Sequence, residues 1–186
     1  MTDNAHNALG HLRSATASLH DELERDLQVV ARLRCREHRT ALVDGYAEMQ
    51  RCAATATSPW LDAVPGLDHV ARPALNDRLP CGLGPDQATA PALSTRAEAL
   101  GFHYVMMGSA LGGRVIMREL EREGVDTADL GFLNPYGART GEIWRELLGV
   151  LEGALAGNAA ALDQAGAGAR KAYTLARACL TNPVPG

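Results

Sequence analysis

The chain has 186 residues, a net charge of −4 and a hydrophobic fraction of 46%, which suits one domain large enough to enclose a pocket. Its basic residues are scattered and no nucleic-acid-binding signature occurs, so a nucleic-acid role is not expected. The first twenty residues lack a signal-peptide pattern, and no run of about 20 apolar residues is present, so the sequence reads as cytoplasmic and without membrane association.

Leu9, Leu12, Thr16, Leu19, Leu23, Leu27 and Val30 recur at three- and four-residue spacing, which predicts a long amphipathic first helix reaching about Val30. A second helix is predicted from about Arg36 to Ala54, ended by the Pro59–Pro65 region. Residues 58–92, rich in proline and glycine, leave room only for short helices. Thr95 followed by Glu98 is a capping-box pattern that starts a helix of about eight turns, with Gly124 as its stop. The FLNPYG segment, residues 132–137, reads as a loop. Thr140 is expected to cap a helix carrying Trp144, Leu147, Leu148, Leu151 and Leu155, and Asn158 to cap a last helix ending near Leu180. No alternating strand pattern occurs. The expected fold is all-α, a single domain over residues 1–186 with flexible ends at 1–6 and 182–186.

Cys35, Cys52, Cys81 and Cys179 form no CxxC pair and are expected to be reduced and partly buried. Glu-x-x-His di-iron spacing, a phosphate-binding GxxxxGK loop, a GxSxG elbow and an HExxH pair are all absent. Two features remain. The first is GSALGG, residues 108–113, inside a helical stretch. A glycine in a helix interior costs roughly 1 kcal/mol relative to alanine, and Gly108 and Gly112 share one face. The flanking Arg96, Glu98, Arg114, Arg118 and Glu119 exclude a membrane span, which leaves close helix crossing or a large planar ligand. The second feature is His20, beside the apolar stripe of the first helix, with Arg13 two turns earlier, about 10 Å away at 1.5 Å per residue. One histidine suffices to ligate heme iron, but the spacing equally describes a solvated helix histidine and arginine.

Taken together, LRSATASLH (12–20), YVMMGSALGG (104–113), NPYG (134–137) and WRELL (144–148) resemble the bacterial heme oxygenases. The resemblance implies a multihelical bundle holding heme between a proximal first helix and a glycine-rich distal helix. It implies His20 as the iron ligand and Gly108, Ser109, Gly112 and Gly113 as the distal wall, with Gly108, Ser109 and Gly112 the catalytic positions. Arg13 and Arg145 would be propionate partners, and Tyr136 and Tyr173 would border the heme. Met106, about 200° around the helix from Gly108, is expected in the core, with Met107 and His103 packed on one flank.

The implied activity is oxidative cleavage of heme b, both cofactor and substrate, to biliverdin, CO and Fe²⁺. It would use O₂ and electrons from a ferredoxin- or flavoprotein-type donor, and a bacterial phytochrome is a candidate recipient of the bilin. A heme sensor or storage protein of the same fold is the alternative. Two departures stand out: Ser109 occupies the place of an aspartate found in the mammalian enzymes, and Met106-Met107 precede Gly108 where close relatives commonly have Leu-Glu.

Overall fold

The structure is a computed structural model, and it describes residues 7–34, 36–62, 64, 67 and 89–181. Every regular element among these residues is helical: α1 (Ala8–Leu27), α2 (Val29–Arg34), α3 (Arg36–Leu61), α4 (Arg96–Arg122), α5 (Thr140–Leu155) and α6 (Ala159–Leu180), with two 3-10 turns, Gly131–Leu133 and Gly137–Arg139, between α4 and α5. The expected ends at 1–6 and 182–186, Cys35, Cys81 and most of 58–92 lie outside the described residues. No helix among the described residues is long and apolar enough to cross a membrane.

Local signals place the ends of α4 and α6. Thr95 accepts from the Glu98 N–H at 3.1 Å, while the Glu98 carboxylate reaches back to the Ser94 N–H at 2.8 Å. This satisfies two backbone donors that the first helical turn leaves unpaired. Burial opposes ionisation of Glu98, but Lys171 at 2.8 Å and the Ser94 N–H hold its carboxyl below the usual range. Gly124, at φ +75°, closes the other end, and Asn158 accepts from the Ala161 N–H at 3.1 Å to start α6.

Three boundaries differ from expectation. The first helix breaks at Gln28, which adopts the left-handed conformation at φ 43°, and the short α2 that follows buries Leu33 completely. That conformation costs a non-glycine residue roughly 1–2 kcal/mol; burial of Leu33 and the grip of Arg39 offset it. Arg39 donates to the Leu33 carbonyl through Nε at 3.0 Å and Nη2 at 2.8 Å, and to the Asp126 carbonyl and Asp129 through Nη1, so it closes the end of α2 and ties it to the segment after α4.

The second predicted helix continues beyond Ala54 to Leu61 and carries Pro59 in its last turn, where a missing N–H removes a single bond and continuation delivers Leu61, 1% exposed, into the core. Thr140 is not a cap: it is fully buried at the start of α5, and its hydroxyl lies 3.0 Å from Asn134 Oδ1 and 2.9 Å from the Gly137 carbonyl oxygen.

α4 stands between two apolar clusters. Phe102 and Leu120 join Leu33, Leu42, Met49 and Leu175 in one, while Ala99, Leu100 and Met107 join Leu12, Leu147, Leu151 and Ala165 in the other. α6 crosses α4 at backbone distance, because a Cβ on Gly101 would overlap the Ala165 carbonyl and one on Gly168 would overlap the Glu98 carbonyl. α1 lies along α6, joined by the Arg177 ion pairs with Glu22 and Asp26.

Gly101→Ala and Gly168→Ala are expected to destabilise the chain by at least about 2 kcal/mol, since backbone must move to admit the methyl group. Gly108→Ala, whose Cβ would meet no atom within 4 Å, is expected to add up to about 1 kcal/mol. Urea denaturation of the three variants measures the contrast, and an equal loss at Gly108 would place that glycine in the same packing role.

Candidate functional site

The glycines of α4 separate into two kinds. Gly101 packs on α6, and Gly113 packs on the 3-10 turn, since its Cβ would overlap the Leu133 carbonyl. Gly113 therefore serves a protein contact rather than an open wall. Gly108 and Gly112 have no atom within 4 Å of a Cβ position. At ~100° per residue, Gly101, Tyr104, Gly108, Gly112 and Val115 fall within about 80° of one another, so one stripe is covered by α6 at its lower end and open at its upper end. Val115, 62% exposed, is the one large hydrophobic side chain so exposed among the described residues. Openness alone is not distinctive, because Gly149 and Gly153 of α5 also have free Cβ positions; what sets the α4 stripe apart is what adjoins it.

That neighbour is the outer face of α1. Burial pushes the Tyr104 hydroxyl up, and the nearby Arg13 guanidinium pulls it part of the way back. Tyr173 of α6 is pushed up to about 12, first by burial and then by the neighbouring Tyr104 and Glu24. Its ring meets the His20 ring edge-on, centroids 6.4 Å apart. The His20 side chain is 55% exposed, with Nδ1 3.7 Å from a Glu24 oxygen and 3.9 Å from an Asp21 oxygen. Both distances exceed a hydrogen bond, so the carboxylates place negative charge near Nδ1 without fixing the tautomer. Arg13, His20, Tyr173 and the open glycine stripe thus adjoin one another through Tyr104.

Three expected members lie elsewhere: Arg145, Tyr136 and Ser109. Arg145 is exposed and folds its Nε back onto the Gly141 carbonyl at 3.2 Å. Tyr136 lines a separate cavity of about 40 Å³ between α3, α4 and the 131–136 segment, together with Tyr46, Gln50, Thr57, His103 and Ser109. Burial pushes Tyr136 up to about 12. Ser109 donates to the Met106 carbonyl at 2.6 Å, so its one proton is directed along its own helix. Met106, Met107 and His103 are buried, as their positions on the helix led us to expect.

Sequence reasoning missed Tyr104, Glu24 and Trp144, whose ring lies 5.5 Å from that of Tyr104. Their signal was local spacing: Tyr104 is one turn before Gly108, and Glu24 one turn after His20. Cys52 and Cys179 are buried. Compared with known proteins, the chain matches no family model and no curated protein significantly.

Burial lowers His103 from 6.5 to about 4. A folded-state value below the unfolded one means that its contribution is complete above about pH 6.5 and is lost as the pH falls toward 4. The gap corresponds to on the order of 3 kcal/mol at 1.36 kcal/mol per pKa unit. His103→Phe is expected to flatten the fall in stability between pH 6.5 and 4, measured as urea midpoints; an unchanged slope would show that His103 is not the titrating group.

Proposed function

We propose that the chain is a heme oxygenase that binds heme b between the His20 face of α1 and the Gly108–Gly112 stripe of α4 and cleaves it to biliverdin, CO and Fe²⁺. O₂ and electrons from a ferredoxin- or flavoprotein-type donor complete the reaction. The observation that carries the reading is the pair Gly108 and Gly112: two costly glycines inside a 27-residue helix with nothing among the described residues within 4 Å of a Cβ position, near an exposed histidine. The residues fit the group, since an imidazole, an arginine two turns away and an apolar, side-chain-free strip match the iron, a propionate and the face of a porphyrin. A heme-binding protein of the same fold without turnover is the alternative that the experiments below separate.

Heme, as substrate, supplies the iron that binds and activates O₂. The chain supplies the rest. His20 would hold the iron, with Glu24 and Asp21 on the Nδ1 side of its ring. Arg13, near the Tyr104 hydroxyl, is the cation available to a propionate. Arg145 would have to leave the Gly141 carbonyl to contribute. The glycine stripe keeps side chains away from the iron's other face and leaves room for O₂. Ser109, its proton engaged by the Met106 carbonyl, offers only lone pairs, so protons must arrive through water.

Hemin titration is expected to give a one-to-one complex with a Soret band. His20→Ala should lose the normal axial ligation and regain it in part with imidazole; an unchanged spectrum would remove His20 from the site. Gly112→Leu should impair CO and O₂ binding without loss of helix content. With reductase, NADPH and catalase, the complex should lose its Soret absorbance and gain that of biliverdin, and a stable complex that yields no bilin would leave binding without turnover. Ser109→Ala should slow turnover by less than about tenfold, whereas a hydroxyl acting as the proton donor would be worth roughly 10²-fold or more.

A further inference from the structure

A cavity lies on the side of α4 away from the Gly108–Gly112 stripe. It is bounded by Tyr46, Gln50 and Thr57 of α3, His103 and Ser109 of α4, and Tyr136. His103 is 7% exposed, and its Nε2 is fully buried with no hydrogen-bond partner among the described residues. A buried polar atom left unpaired costs roughly 1–3 kcal/mol, so such a nitrogen is expected to be satisfied. The donors and acceptors around it define the partner. Thr57 spends its proton on the Ala53 carbonyl at 2.8 Å, and Ser109 spends its own on the Met106 carbonyl at 2.6 Å, so both hydroxyl oxygens remain as acceptors. Tyr46 and Tyr136, each pushed up to about 12 by burial, keep their protons at neutral pH. His103, lowered to about 4 by burial, is uncharged there.

The occupant must therefore be neutral, both donor and acceptor, and very small. The cavity's 40 Å³ or so exceeds the roughly 10–15 Å³ that one water requires and is far too small for a metabolite. A charged occupant would meet no counter-charge, since no ionised group among the described residues lines the cavity. The geometry points to a structural water site, in which one or more ordered waters bridge His103 Nε2 to the polar groups of α3 and α4. This bridge is what lets α4 carry a histidine on its core face, and it joins α3 to α4 through hydrogen bonds beside apolar side chains such as Ala53, Ala110 and Met106.

The test uses the full chain, isotopically labelled and without heme. Water-selective nuclear Overhauser spectra are expected to show a long-lived water contacting the His103 ring protons. That signal should be lost in His103→Leu and retained in His103→Gln, which keeps a polar group at the position. Xenon under pressure should leave the Ala53 and Ala110 methyl signals unshifted, because a hydrated polar cavity does not take it up. Absence of the water contact in the wild-type chain, together with a xenon-induced shift of those methyls, would show a dry cavity and overturn the proposal. Retention of the full water signal in His103→Leu would equally overturn His103 as its anchor. If His103→Leu does not fold, the wild-type water and xenon measurements decide the matter alone.

Discussion

The backbone-to-backbone crossing of α4 and α6 is the constraint on which the rest of the arrangement depends. Gly101 against Ala165 and Gly168 against Glu98 leave no space for a methyl group on either side, so the two helices approach more closely than leucine-lined helices, which sit 8–10 Å apart. α1 is positioned through α6, with Ala15 and His11 near Gly166 at one end and Glu22 and Asp26 paired with Arg177 at the other. Close approach at one crossing thus brings the Arg13–Thr16–His20 face of α1 within reach of Tyr104. A wider crossing would separate Arg13 from Tyr104 without touching either residue.

Straight helices that meet at a tight crossing diverge on either side of it. The stripe that begins at Gly101 must leave α6 as it climbs toward Val115, and Tyr104, beside Trp144, stands where the separation begins. Above it, Gly108 and Gly112 face open space. The same residue type therefore serves opposite ends on one face: at Gly101 it permits contact with a protein backbone, and at Gly108 it leaves a gap. Alanine at Gly108 would be the cheaper choice for the chain alone, which is why the gap itself calls for an occupant.

Features that depend on a few neighbouring residues were legible in the sequence. Thr95 with Glu98, Asn158 and Gly124 act through bonds that span one turn, and the apolar spacing around Leu12, Leu147 and Leu151 marked the buried faces correctly. Breaks decided by distant contacts were not. Gln28 carries no mark of its left-handed conformation, because the gain lies in Leu33 and in Arg39, eleven residues on. Pro59 reads as a stop, yet burial of Leu61 carries the helix past it. Nothing local distinguishes Gly113 from Gly112, since the Leu133 carbonyl that separates their roles arrives from another segment. Likewise Arg13 and His20 could be selected by spacing, and Tyr104 stands one turn before Gly108, but the crossing that brings Tyr104 beside α1 is one that no periodicity encodes.

His20 and His103 show how the two sides of this geometry assign different chemistry to one side chain. His20 stands more than half exposed on α1 with two carboxylates near Nδ1, so solvent and charge remain available to it and its other nitrogen is open to a ligand. His103, on the core face of α4, is enclosed by α3 and the 131–136 segment, where burial alone suppresses its protonation. Exchanging the two environments would exchange the exposure of the two rings, which is set by packing, although Asp21 and Glu24 beside His20 are its sequence neighbours. Exposure on the outer face of α1 makes a histidine able to take a ligand from solution, whereas enclosure beside α4 makes one that must be satisfied from within.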